Sequence, residues 1–459
     1  MKVKYLFVFM VITALVLAGC APAATPSTPE PVDEPTEEPA APEEPEEVEE
    51  TEEVEEPEET EAPEEPAAEE IELRFVYYVD GEELMRPLLD KFMAENEGIN
   101  VVLDVVPYTF IDEQLPIQVE AGEGPDLARI TNFAAFPDKL LDLRDYVSDP
   151  AYYEANFAKP ILEALNYGGF PDEYTITGPY VNKTLFDQAG VPFPEGETTW
   201  QEWTDLTKQV AEATGTDFAI AVDRTGHRIA GPAMSMGATL IDENGDFTID
   251  TQGFRDFVTM LKSWHDEGLM PQELWLTGDA LNNCIDWFTT GDVVMCMTGS
   301  WQINTLASDV GDAFDWVMPG NPTGEGGSTG VAGGAAIVAF NDTEHPEAVA
   351  KLMEFLYAPE NYSTISAGMP SLPAHKEVAE MGVDFETENP FVLAALDAYT
   401  AEVPKLQDQA VQLNVHPYAF AYYRNSANRI AQYLAGELTL DEMITTLQAD
   451  IDTAIAESE

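Results

Sequence analysis

Only three cysteines occur in the 459 residues: Cys20, Cys284 and Cys296. That number excludes a disulfide framework and a cysteine-based metal cluster. Basic residues are scarce as well, with 20 Lys and Arg against 86 Asp and Glu, a formal charge of −66 at pH 7. Phosphates would be repelled by such a surface, so nucleic acid is excluded as a partner, as is an anionic membrane surface. The apolar run from Tyr5 to Leu17 is shorter than the roughly 20 residues a membrane-spanning helix needs. No Gly-rich phosphate loop, His-based metal motif or nucleophile elbow is present, and no repeat or heptad array. Neither a cofactor nor a metal is called for.

What is present divides the chain in three. Lys2 and Lys4, the apolar run and Leu17-Ala18-Gly19-Cys20 make a secretory signal over about residues 1–19. Leu-Ala-Gly-Cys resembles the lipobox of bacterial lipoproteins. Cleavage there leaves Cys20 as the first residue, carrying a lipid that tethers the chain to the outer face of the cytoplasmic membrane. Residues 20–70 are almost entirely Pro, Glu, Ala and Thr, with 22 acidic residues from position 21 on and no Lys or Arg. Such a segment buries no core. Charge repulsion and proline stiffness make it a disordered, extended spacer, reaching on the order of 100 Å at about 3 Å per residue. Residues 71–459 form the head.

The head opens with a strand over Ile71–Val79, a helix from Glu82 to Asn96, a strand from Ile99 to Val106, a helix through Val119 and a third strand after Asp126. That β-α-β-α-β order predicts a doubly wound α/β lobe. An extended segment over Tyr174–Asn182, broken at Gly178-Pro179, crosses towards a second lobe. There Thr199 and Glu202 have capping-box spacing, Phe218–Val222 is a strand, and Phe254–His265 is a helix with Phe257, Val258, Leu261 and Trp264 on one face. Leu281, Ile285 and Phe288 recur at helical spacing, and Gly291-Asp292 stops that helix. Val293–Met297 is a continuous apolar run, the pattern of a strand buried on both faces. Trp301 follows the strand's end. Short strands at Phe314–Met318 and Gly333–Phe340 flank a Gly-rich loop, and helices near Pro346, Asn389, Tyr418 and Thr439 finish the chain.

Open α/β sheets bind ligands beyond the carboxyl ends of their strands. By that rule Trp301 is a ligand-stacking surface, its other reading being a packing residue. Tyr77, Tyr78 and Asp80 follow the first strand, Thr131 and Asn132 the third, and His227 and Arg228 the Phe218 strand. Asp126 reads as a structural turn residue. Gly333 and Gly334 allow backbone N–H groups to approach a ligand, or else tight packing. Cys284 and Cys296 are either bridged, which export permits, or two buried thiols.

The order of segments resembles the extracytoplasmic solute-binding proteins of carbohydrate ABC importers, the maltose-binding-protein-like family. The likeness rests on Leu73-Arg-Phe-Val-Tyr-Tyr78, Phe92-Met-Ala-Glu-Asn-Glu-Gly-Ile-Asn-Val101, Ala121-Gly-Glu-Gly-Pro-Asp126, Tyr180-Val-Asn-Lys-Thr-Leu-Phe-Asp-Gln-Ala-Gly190, Phe288-Thr-Thr-Gly-Asp-Val-Val-Met295, Gly299-Ser-Trp301 and Gly333-Gly-Ala-Ala-Ile337. It implies an α/β fold of two doubly wound lobes joined by a hinge, periplasmic-binding-protein-like of type II. Lobe 1 covers about 71–178 plus 331–375, and lobe 2 about 179–330 plus 376–459. It further implies a monomer without catalytic activity that captures a sugar or oligosaccharide between the lobes and delivers it to a membrane permease. A late-helix aromatic closes the site in the family, which points to Tyr418, Tyr422 or Tyr423. The chain departs from the family at Val76-Tyr77 and at Tyr167-Gly-Gly-Phe-Pro171, positions that bear on which sugar is taken. A binding protein for peptides or polyamines, or a carbohydrate-active hydrolase, are the alternatives.

Overall fold

Strand alternation sorts the first strand's side chains to two buried faces. In β1 (Ile71–Tyr78), Phe75 and Tyr77 point one way, Val76 and Tyr78 the other, and all four are buried. The structure, a computed structural model, describes residues 70–78, 81–277, 283–385 and 387–458. The expected signal, Cys20, nearly all of the spacer, Asp80 and Leu281 lie outside them. Among the described residues no helix is long and apolar enough to cross a membrane.

Helix α1 (Gly81–Glu95) lays Met85, Leu88, Leu89 and Phe92 on the Phe75 and Tyr77 face. The i, i+3, i+4, i+7 spacing of those four residues makes this face continuous. Strand β2 (Ile99–Val106) pairs in parallel with β1 over all eight residues. Helix α2 (Tyr108–Glu113) and a second short helix over Leu115–Glu120 cover the opposite face, where Ile111 and Leu115 meet Val76 and Tyr78. Strand β3 (Leu127–Ile130) is the other parallel neighbour of β1.

Strand β4 (Gly169–Asn182) runs unbroken through Gly178-Pro179 for 14 residues, against the expected interruption. Three pairings explain it. One edge of β4 pairs antiparallel with β6 (Val293–Gly299) from Thr177 to Val181. The other edge pairs with β10 (Ala332–Ala339) only as far as Ile176, and resumes with β7 (Trp316–Val317) at Val181. Pro179 falls in the gap between β10 and β7, so its missing N–H costs no ladder bond there. At Gly178 a Cβ would come within 2.7 Å of Met318 and 2.8 Å of Tyr399, so the residue is glycine for space.

The second half of the head begins with α3 (Trp200–Thr214), whose capping box is complete: Thr199 accepts from the Glu202 N–H, and Glu202 accepts from the Thr199 N–H. Such a cap is worth about 1 kcal/mol. Strand β5 (Phe218–Val222), α4 (Gly226–Ser235), α5 (Gln252–Asp266) and α6 (Ile285–Thr289) follow. As expected, Phe257, Val258, Leu261 and Trp264 of α5 are buried, and Gly291 takes a positive φ of 82° in the turn before β6. The Gly-rich loop holds a small hairpin, β8 (Thr323–Gly324) with β9 (Gly327–Ser328). Helices α7 (Ala419–Leu434) and α8 (Leu440–Ser458) pack together at the end. Short helices over Pro359–Gly368, Lys376–Met381 and Asp408–Val415 were not expected, because segments of ten residues or fewer carry too few apolar repeats to stand out.

One mixed sheet ties the halves together in the order β2-β1-β3-β10-β4-β6-β5. β10 is antiparallel to both β3 and β4, and β5 is parallel to β6. β6 is therefore buried as expected, but with one parallel and one antiparallel neighbour. Two apolar clusters sandwich β1 to β3, and a third surrounds β5 and β6. β4 and β10 carry the chain between them.

Candidate functional site

The candidate site grows from the carboxyl ends of β5 and β6. β6 ends at Gly299, and the turn Ser300–Gln302 turns Trp301 back over the strand. A Cβ on Gly299 would lie 2.0 Å from Trp301 Cζ3 and 2.1 Å from Cη2. Its φ of −179° is open to any residue, so glycine is needed here for room alone. Tyr180 Oη donates to the Gly299 carbonyl at 3.1 Å and fixes the strand end.

Beyond β5, Thr225 caps α4 by accepting from the His227 N–H, which sets His227 and Arg228 in the helix's first turn. The Arg228 guanidinium sits 4.2 Å from the centre of the Trp301 ring, a cation–π contact. Its Nε is 3.4 Å from Asp223 Oδ2. Asp223 in turn accepts from the Cys284 N–H at 2.7 Å. Cys284 is bridged to Cys296 of β6, with Cα atoms 5.7 Å apart, which resolves the two readings of that pair. The disulfide thus pins the loop that holds Asp223, Asp223 holds Arg228, and Arg228 leans on the indole. Burial raises the Asp223 carboxyl above its usual range and lowers Arg228, costs that their mutual attraction offsets only in part.

His227 is neutral. Burial, reinforced by the neighbouring Arg228 charge, pushes its pKa down to about 3. Its Nε2 lies 3.3 Å from the Ala332 carbonyl, which only accepts, so Nε2 carries the proton. Nδ1 then accepts from Arg228 Nη1 at 3.3 Å. In the unfolded chain the ring takes up a proton near pH 6.5. Between pH 6.5 and 3 the unfolded state therefore binds a proton that the folded state refuses, and stability present above pH 6.5 is lost as pH falls. His227→Gln should make the loss of unfolding free energy between pH 7 and 4.5 smaller by about 2 kcal/mol in urea titrations. Parallel pH profiles for the two proteins would contradict this placement.

Tyr423 on α7 meets His227 edge-on, ring centres 5.0 Å apart. The helices touch at Gly226, where a Cβ would be 2.8 Å from Ser426 Cβ and 2.9 Å from Tyr423 Cα. Gly333 on β10 closes the floor: a Cβ there would be 2.6 Å from Thr175 Oγ1 and 3.6 Å from His227 Nε2. Gly334, at φ 148°, presses on the Glu173 carbonyl and is confined to glycine by conformation and space together.

The first half contributes the opposite wall. Tyr78 packs edge-on to Tyr108 at 5.3 Å, and Tyr108 Oη is 2.8 Å from Thr131 Oγ1. Tyr108 is pushed up to about 12, chiefly by burial, and the charge of Arg228 from the other half acts on it in the opposite sense. Arg129 lies 4.7 Å from the Tyr78 ring centre and donates to Asp172 at 2.6 Å and to Glu173 at 2.7 Å. That ion cluster is buried and joins β3 to β4.

Trp301, His227, Arg228, Gly333 and Tyr423 therefore come together, and Tyr78 stands on the facing wall. Tyr77, 1% exposed, packs chiefly into the core against α1, although its ring stacks 6.0 Å from that of Tyr78 and both lie beside the Arg129 guanidinium. Tyr422 is core as well, stacked on Phe247. The Tyr418 ring lies beside His416, 5.9 Å away, at the start of α7. Asp126 is structural, accepting from the Arg74 N–H and from Thr343. Asn132 lines a cavity with Asp112, Phe420 and Arg424. Tyr108, Asp112, Arg129, Asp223, Phe420 and Arg424 escaped the sequence reading. Of these, Asp223, directly after β5, and Tyr108, two residues after β2, obey the strand-end rule that finds the others.

Residues 88–391 match the model of a family described as bacterial extracellular solute-binding protein. A putative binding protein of Brucella abortus is 25% identical over 326 residues, 68% of this chain and 76% of that one. The arabinooligosaccharide-binding protein of Halalkalibacterium halodurans is 26% identical over 264 residues, 54% of this chain and 58% of its own. Among solved structures, an ABC substrate-binding protein from Listeria monocytogenes in complex with cycloalternan superposes with a TM-score of 0.68 at 19% identity, covering 84% of this chain and all of that one. Maltose-bound MalE3 of T. maritima gives 0.69 at 16%, with the same coverage. At these identities the likeness is one of fold.

Proposed function

Since the chain belongs to the bacterial extracellular solute-binding proteins, we propose that it captures a sugar or oligosaccharide between its two halves and passes it to the permease of an ABC importer. The single observation that carries this reading is the cluster of Trp301, Arg228, His227 and Tyr423 opposite Tyr78 and Tyr108. Aromatic surface takes the C–H face of a sugar ring, while guanidinium and phenol groups meet its hydroxyls. Two relatives named for the saccharides they carry, an arabinooligosaccharide and maltose, support it.

The halves act as lobes, with boundaries near residues 178, 331 and 375, and β4 and β10 form part of the hinge. A solute touching both lobes favours the closed form by the contacts it gains there. The protein does no catalysis in this account. A lipid on Cys20 anchors it outside the cytoplasm, and the acidic spacer holds the head off the membrane.

A melting-temperature screen over mono- and oligosaccharides, amino acids, peptides and polyamines tests the reading. A saccharide at a hundred times its Kd should stabilise the fold by about 2.7 kcal/mol and raise the melting temperature accordingly. Stabilisation by polyamines or peptides, with none from any saccharide, would overturn it.

A further inference from the structure

Asp223 and Arg228 face each other without closing. Asp223 Oδ2 and Arg228 Nε stand 3.4 Å apart, and both are buried without a hydrogen-bond partner among the described residues. The other oxygen of the carboxylate accepts from the Cys284 N–H at 2.7 Å, which holds Asp223 back from the guanidinium. Arg228 is left leaning on the Trp301 indole, 4.2 Å from the ring centre. Cys284 itself is fixed by its disulfide to Cys296. Asp223 thus stands between two donors, and the disulfide sets which one it meets.

The two cysteines are not equally free to move. Cys296 lies within β6, paired with Tyr180 of β4 on one edge and Ala221 of β5 on the other. Cys284 directly precedes α6, a helix of five residues. Both are fully buried. A dithiol reductant breaks the S–S bond by supplying two electrons and two protons; two thiols form, and the dithiol closes to its own disulfide. Sulfurs about 2 Å apart in a bond need roughly 3.5 Å or more once unbonded. In a close-packed core that separation displaces Cys284, whose 2.7 Å bond to Asp223 then leaves hydrogen-bonding range. A carboxylate only 1% exposed needs a replacement donor. Arg228 Nε, unpaired and 3.4 Å away, is the charged donor in reach. As Asp223 closes on it, the guanidinium is drawn from the indole.

We propose that the Cys284–Cys296 pair is a redox switch on solute affinity. Bridged, it leaves Arg228 on Trp301 and the site competent; reduced, it releases Asp223 to Arg228 and weakens binding. The inference rests on the reading of Trp301 and Arg228 as solute contacts and adds regulation to it.

The test uses the full-length protein, oxidised or equilibrated with dithiothreitol, its thiols counted by mass spectrometry after alkylation. Isothermal titration with the solute that raises the melting temperature most should show affinity falling about tenfold on reduction, the worth of one hydrogen bond to a charged group. Arg228→Gln should bind weakly in both states, with no further loss on reduction. The double variant Cys284→Ala with Cys296→Ala should not respond to the reductant. A second readout needs no solute. In protein with isotope-labelled arginine, the Arg228 Nε–H resonance, identified by its absence from Arg228→Gln, should move downfield on reduction as it gains the carboxylate. A disulfide that only braces the fold would lower the melting temperature on reduction and leave affinity and that resonance unchanged. This result would overturn the switch and leave the solute site standing. So would a pair that dithiothreitol does not open in the folded protein, or an Arg228→Gln variant that loses the same factor as the parent. Arg228→Gln binding as tightly as the oxidised parent would remove the site reading and the inference with it.

Discussion

Replacing Trp301 by Ala should lower saccharide affinity roughly a hundredfold, as measured by titration calorimetry, since central aromatic anchors carry about 2 kcal/mol or more of a binding interface. The unliganded protein should remain folded. The indole is only half-buried, and its contacts with Arg228 and Gly299 lie at the rim of the core rather than within it. A variant that binds as the parent does would show that Trp301 is a packing residue, the reading that its surroundings weigh against.

Gly299→Ala should reach nearly the same loss by a different route. The added methyl would stand 2.0 Å from the indole, and the neighbouring strand is fully buried, so the ring must leave its seat. Overpacking of this kind costs about 1–3 kcal/mol of stability. The double variant Gly299→Ala with Trp301→Ala relieves the crowding. It should regain much of that stability and bind no worse than Trp301→Ala alone, because both changes remove one interaction. Additive losses in the double variant would mean that Gly299 acts independently of the indole.

Much of the frame was legible because local pattern and tertiary role agree. The apolar run after Gly291 became β6, the Thr199–Glu202 spacing became a full capping box, and the apolar face of α5 became core. β4 was harder to read, since the harm a proline does depends on which strand edge is paired at that residue, and this is fixed by partners more than 110 residues away.

The site was legible only in part. The strand-end rule finds Trp301, His227 and Arg228, which lie on one rim. It does not separate Tyr77 from Tyr78, because alternation gives two faces without saying which one meets the opposing half. Arg129 drew no attention within the third strand, and its meaning appears only with Asp172 and Glu173 beside it. Asp112, Phe420 and Arg424 sit on helices with ordinary amphipathic patterns, where a residue that faces a cleft reads the same as one that faces water.

A crystal structure of the protein with its preferred saccharide tests the central claim most directly. It should show a sugar ring in van der Waals contact with the Trp301 indole, its hydroxyls bonded to Arg228 and to groups on the Tyr78 and Tyr108 wall, with both halves touching the solute. A saccharide seated away from Trp301, or held by one half alone, would contradict the account.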